Sequence, residues 1–304
     1  MTRRLPIFYL VLVIAWIGLG WRLPSEAAGP ERVAVLLSTE SPPFDKVLEG
    51  FRDSLEQKKI PVLIKILPDG LSSEDTKNVE LIFAVGSEAL VQARVQNPDI
   101  PIVAGMILRE EDLVNFPHTT GVYLEHPPEI QLGWMRRILP DARKIGVVYN
   151  GTENMGRIEN AKKILDQMGF QLVAQEVSGP RELPAALENL ANTADVLWGV
   201  SDHVVLTPQT ARHILLFSFR NRIPFVGLSH AWTKAGALYS LDRDYHDIGR
   251  QCGELAYRIL QGEPAGSIAP VAPRKVTYSL NLKAANRMKL NISSSVRKDA
   301  EQVY

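Results

Sequence analysis

Cysteine is almost absent: Cys252 stands alone in 304 residues. No internal disulfide can form, so the fold must rest on its hydrophobic core. Charge of one sign is also lacking. Basic and acidic residues number 34 each, without the basic excess that nucleic-acid binding requires. The six histidines contain no His-x-x-x-His pair and no Cys–His grouping, the spacings that hold a metal. Glycine-rich phosphate loops are missing too, because the one candidate, Gly18-Leu-Gly20, lies in the apolar N-terminal run. No cofactor is therefore expected. Beyond the N-terminus no apolar run is long enough to span a bilayer.

What is present begins with an export signal. Arg3 and Arg4 precede an apolar stretch from Ile7 to Trp21, and Arg22, Pro24 and Ser25-Glu26-Ala27-Ala28 follow. A basic start, a short apolar core and a Ser-x-Ala site make a secretory signal peptide over residues 1–27. Cleavage is expected after Ala27, or alternatively after Ala28, with an uncleaved anchor as the other reading. The Arg3-Arg4 pair is followed by Leu5-Pro6, which fits a twin-arginine signal poorly. The protein is thus expected in the periplasm or outside the cell. The rest of the chain is slightly acidic and long enough for a large core in two lobes.

Short apolar runs alternate with amphipathic stretches almost to the end. Val33–Leu37, Val62–Leu67, Leu81–Val85, Pro101–Ala104 and Gly121–Leu124 read as strands. A second series runs through Ile145–Tyr149, Leu172–Val177, Val196–Val200, Phe225–Leu228, Ala237–Leu241 and Val276–Leu280. Between them lie helical stripes, such as Phe44, Val47, Leu48, Phe51 and Leu55, or Ile248, Cys252, Leu255, Ala256 and Ile259. Thr207-Pro208 supplies a capping hydroxyl and a first-turn proline, while Gly169 stops a helix. Such alternation predicts an α/β fold of two doubly wound parallel-sheet lobes, with ligand groups at the carboxyl ends of the strands. Phe83-Ala-Val-Gly-Ser87 and Trp198-Gly-Val-Ser-Asp202 look like matching strand ends in two related lobes. The polar tail 293–304 reads as flexible.

Ile138-Leu-Pro-Asp-Ala-Arg-Lys-Ile-Gly-Val-Val-Tyr-Asn150, the segment Gly236 to Gly253 and Ser279-Leu-Asn-Leu-Lys-Ala-Ala-Asn286 carry a resemblance. In order and spacing they are similar to the substrate-binding proteins of ABC transporters with the type I periplasmic-binding-protein fold. The likeness is to the subfamily that includes aromatic amino-acid binders, and it runs from about Arg32 to about Leu290. It implies a three-segment hinge, with crossings near 121–125, 241–245 and 275–278. One lobe would hold residues 32–122 plus 245–275, the other 123–244 plus 276–292. It also implies a small-molecule ligand, an ABC transporter permease as partner, and hinge closure as mechanism. Nothing in the sequence demands an oligomer, so a monomer is expected.

The resemblance points to ligand-binding residues at strand ends, Ser41, Ser87, Asn150, Asp202, Ser229 and Asp242, while the residues themselves add Thr152 and Asn154 in the polar loop after Asn150 and the aromatic Tyr123 near a strand end. Ser41 stands where the family often has histidine, and Gly151 replaces a usual proline. Leu108-Arg109-Glu110-Glu111-Asp112 departs from the usual Asp-Pro pattern. Ser87 heads a helix, where free N–H groups suit an anion or the hydroxyl simply caps. Asn150, Thr152 and Asn154 form either a ligand loop or an ordinary polar turn. Asp202 and Asp242 could each hold a ligand amine, cap a helix or pair with an arginine such as Arg243. Among aromatics, Tyr123 and Trp232 suit the cleft, while Tyr149 and Trp198 suit the core. Two other functions fit the same chain: a ligand sensor that signals without transport, and a secreted serine hydrolase. The second rests on Gly227-Leu-Ser-His-Ala231, a partial nucleophile elbow with His246 and Asp247 as partners.

Overall fold

The computed structural model describes residues 31–59, 62–67 and 78–304. The expected signal peptide and its cleavage sites lie outside the described residues. No helix among the described residues is long and apolar enough to cross a membrane.

The first sheet collects β1 (Glu31–Leu37), β2 (Val62–Leu67), β3 (Leu81–Val85), β4 (Ile102–Ile107) and β5 (Thr119–Tyr123), in the order β2-β1-β3-β4-β5, all parallel. Helices α1 (Pro42–Gln57) and α2 (Ser87–Gln96) connect them. Every residue of β3 is buried, as expected for a strand covered by helices on both faces. Phe51 of α1 stacks on Phe83 of β3, ring centroids 4.0 Å apart.

The second sheet is assembled from β6 (Lys144–Asn150), β7 (Gln171–Val177), β8 (Val196–Trp198), β9 (Phe225–Gly227), β10 (Tyr239–Arg243), β11 (Val276–Leu280) and β12 (Gln302–Val303). Their order is β12-β11-β10-β9-β8-β6-β7. Its helices are α3 (Pro128–Ile138), α4 (Gly151–Gln167), α5 (Leu183–Leu190), α6 (Pro208–Asn221) and α7 (His230–Ala235). One pair departs from the parallel rule: β11 runs antiparallel to β10, Tyr239 facing Leu280. Thr207 caps α6 and forms a capping box with Thr210. Gly169, at φ +77°, closes α4.

Helix α8 (Tyr245–Leu260) follows β10 of the second sheet but packs in the first lobe, along α1 and against β4 and β5. Ile248, Cys252, Leu255, Ala256 and Ile259 share its buried stripe. The chain therefore passes between lobes at 124–127, at Asp244 and before Val276, which makes the hinge three-segmented.

The tail is a correction. Residues 293–304, expected to be flexible, form α10 (Ser294–Asp299) and the edge strand β12, after α9 (Leu282–Met288). Val296 is buried, and its carbonyl accepts the Tyr278 hydroxyl at 2.6 Å. The Tyr304 N–H donates to Leu280 O at 2.9 Å. Polarity misled the sequence reading, because the open edge of β11 binds backbone regardless of side-chain type.

Helices α1 and α8 touch through glycine. A Cβ on Gly249 would lie 2.0 Å from Val47 O, and one on Gly50 1.9 Å from His246 O. Gly249→Ala must push two backbones apart, so it should cost about 1–3 kcal/mol in urea unfolding. Gly133 in α3 has open space around it. Gly133→Ala should stabilise by about 0.5–1 kcal/mol through helix propensity.

Candidate functional site

Two cavities meet between the lobes. The deeper one, about 100 Å³, lies over the carboxyl ends of β8, β9 and β10, lined there by Trp198, Gly199, Val226, Gly227, Leu241 and Arg243. Gln131 and Met135 of α3 form another wall, and Leu108, Glu125 and His126 close it from the first lobe and the first crossing. The outer cavity, about 360 Å³, shares Glu125, His126, Gln131 and Trp198 with it. It adds Tyr123, Glu110, Glu111, Glu129, Arg157 and Asn160.

Beside these cavities sits a polar network. Asp202 is 4% exposed. One of its oxygens accepts the Asn150 N–H at 2.7 Å and the Asn154 amide at 2.8 Å. The other accepts the N–H groups of Val204 and Val205, both at 2.8 Å. Asn150 caps α4 through Glu153 N–H and donates to Val177 O. Asn154 also donates to Ser201 O at 3.1 Å. Asn150, Asn154 and Asp202 are thus brought together, but their polar atoms are engaged with protein and lock the loops after β6 and β8. Thr152 points to solvent in the first turn of α4.

A cross-lobe latch adjoins this network. Arg109, after β4, reaches Glu153 of α4 at 2.6 Å and Ser201 O at 3.3 Å. Glu153 also accepts the His203 N–H at 3.0 Å and meets the His203 ring at 2.8 Å. Burial would raise the Glu153 carboxyl, yet the hydrogen bonds from His203 and Arg109 hold it below its ordinary value. A second pair, Arg157 to Glu125 at 2.8 Å, ties α4 to the first crossing. Burial pushes the Glu125 carboxyl up, against the pull of Arg157 and Arg109.

The remaining sequence candidates scatter. Tyr123 lines the outer cavity. Ser41 stands half-buried at the head of α1. Ser87 is exposed in the first turn of α2, where the Ala89 N–H is met instead by Ser38 Oγ at 2.9 Å. Asp242 faces a third cavity on the hinge, with His230 at 3.4 Å and Arg243 at 3.9 Å. Ser229 precedes α7 in ordinary extended backbone, φ −158°, without the strained turn of a nucleophile elbow. His246 pairs with Asp53 and Asp247 with Arg274, so neither serves Ser229. Trp232 packs edge-on to Phe225 at 5.5 Å, while Trp198 lines both cavities and donates its indole N–H to Gln131 at 2.8 Å.

Sequence reasoning missed His126 and Gln131, and it named Arg243 only as a partner for an aspartate, not as a lining residue of the cavity. His126 is 4% exposed, and its Nε2 lies 3.1 Å from Asp242 O. A carbonyl only accepts, so Nε2 carries the proton. Burial, then the nearby Arg243 charge, lower this imidazole to about 4. The adjoining Pro127-Pro128 and the position of the crossing were the available signals.

Two α/β lobes, a three-segment hinge and a cleft at strand ends define a type I periplasmic-binding-protein fold. The chain belongs to the ABC transporter substrate-binding protein family, whose model matches residues 32–304. It is 24% identical over 288 residues to a tyrosine-binding protein of Clostridioides difficile, covering 86% of this chain and 82% of that one. Among solved structures, a substrate-binding protein with adhesive properties from Clostridium difficile, in a ligand-free open form, has TM-score 0.71 at 20% identity, covering 90% and 99% of the two chains. A domain from Streptococcus pneumonia in complex with L-Trp has TM-score 0.60 at 18% identity, covering 91% and 100%. The family and these relatives are binding proteins, not enzymes.

Two outcomes follow. Asp202→Ala leaves buried donors unmet and should destabilise the ligand-free protein by about 2–4 kcal/mol in urea melts. His126 binds a proton near 6.5 when unfolded but only near 4 when folded. Stability should therefore fall as pH drops through that window, by about 3 kcal/mol in total. His126→Gln should flatten that slope in unfolding midpoints measured from pH 7 to 4.5.

Proposed function

We propose that the protein captures a small molecule, an amino acid or related compound, in the interlobe cleft outside the cytoplasm and delivers it to an ABC transporter permease. The observation that carries this reading is the pair of joined cavities at the carboxyl ends of β8, β9 and β10, roofed by Leu108 and Glu125. Membership of the substrate-binding family supports export and a permease partner. A tyrosine-binding relative and a tryptophan-bound neighbour support an amino-acid-like ligand. Arg109 already reaches Glu153 of the second lobe at 2.6 Å, and ligand contacts made in both lobes would favour this closed arrangement over an open one.

The test is thermal unfolding of the chain from Ala28 onward with amino acids and their analogues. A ligand at 100 times its dissociation constant should add about 2.7 kcal/mol. Gln131→Ala, which removes the partner of Trp198 in the cavity wall, should reduce that shift at equal ligand concentration. A well-folded protein that responds to none of them would sink the reading.

A further inference from the structure

The outer cavity is lopsided in charge. Glu110, Glu111, Glu125 and Glu129 line it against one cation, Arg157, which is already paired to Glu125 at 2.8 Å. Glu110 and Glu111 lie in the Leu108–Asp112 segment, where the sequence leaves the family's pattern. Those carboxylates impose a negative potential on the cavity: burial first, then Glu110, Glu125, Glu111 and Glu129, push the Tyr123 hydroxyl up. The deeper cavity does not restore balance, since its Arg243 lies 3.9 Å from the Asp242 carboxylate.

A second observation comes from the wall that the two cavities share. His126 is 4% exposed, and with its Nε2–H given to Asp242 O, its Nδ1 is a lone-pair acceptor. No protein donor meets that atom. A buried acceptor left without a donor costs free energy that an incoming N–H group would recover. Tyr123 and Trp198 add aromatic surface, which favours a cation over an anion.

On the reading that this cleft binds a small molecule, we propose that its ligand carries a net positive charge. That ligand is an amine or guanidinium compound without a compensating carboxylate, its cationic group held among Glu110, Glu111 and Glu129 beside His126. A zwitterionic amino acid would bring its carboxylate into the same negative field, whereas a decarboxylated amine brings only the matching charge.

Titration calorimetry at low salt decides it, using tyramine, tryptamine and agmatine against L-tyrosine and L-tryptophan. At least one of the three cations should bind tenfold or more tightly than either amino acid. Combined Glu110→Gln, Glu111→Gln and Glu129→Gln substitutions on the exposed rim should weaken that cation tenfold or more. Binding of tyrosine or tryptophan with no binding of the cations would overturn the charge assignment and leave the substrate-binding reading standing. Cation binding that the triple variant does not alter would overturn the assignment to this cavity. Silence from all five probes would count against both.

Discussion

The interface on which the rest depends is the contact of α1 with α8. Helix α8 leaves the second sheet and lies along α1 so closely that Gly249 and Gly50 have no room for a Cβ. This return makes the chain cross between lobes again, and the last crossing leads into β11. Without it the first lobe would lose Ile248, Cys252 and Leu255 from its core, and the hinge would shrink to one strand of chain. A cleft opened and closed by small rotations needs lobes that are each rigid and links that are few. The helix pair supplies the rigidity on one side. The buried Asp202 carboxylate, with four donors, supplies it on the other.

Charge in the cleft is organised in two ways. Arg109, Glu153, Arg157 and Glu125 form pairs that join lobe to lobe or lobe to hinge, half-shielded from water. Such pairs gain more from Coulomb attraction than exposed ones, and they give the lobes a preferred registration. The carboxylates of Glu110, Glu111 and Glu129, by contrast, cluster on the rim of the outer cavity. The first arrangement fixes geometry; the second leaves a field for a ligand to answer.

The fold class was legible in the chain because strand and helix periods are local. Leu81–Val85 reads as a buried strand, and Ile248 to Ile259 as a helical stripe, from side-chain spacing alone. The polar tail was misread for the same reason. Its order comes from backbone pairing with the edge of β11, which no side-chain pattern announces.

The sequence by itself determined the alternation of elements, the helix stop at Gly169, the lack of any internal disulfide and the resemblance to a binding-protein family. Only the tertiary structure decided what each polar residue does. Asn150, Asn154 and Asp202 carry the residue types of a ligand site, yet in three dimensions they satisfy one another and nearby backbone. His126 and Gln131 looked unremarkable in the chain, but the first crossing sets them on the wall shared by two cavities. A side chain's partners come from segments far apart in sequence, and hydrogen-bond capacity spent on one partner is withdrawn from another.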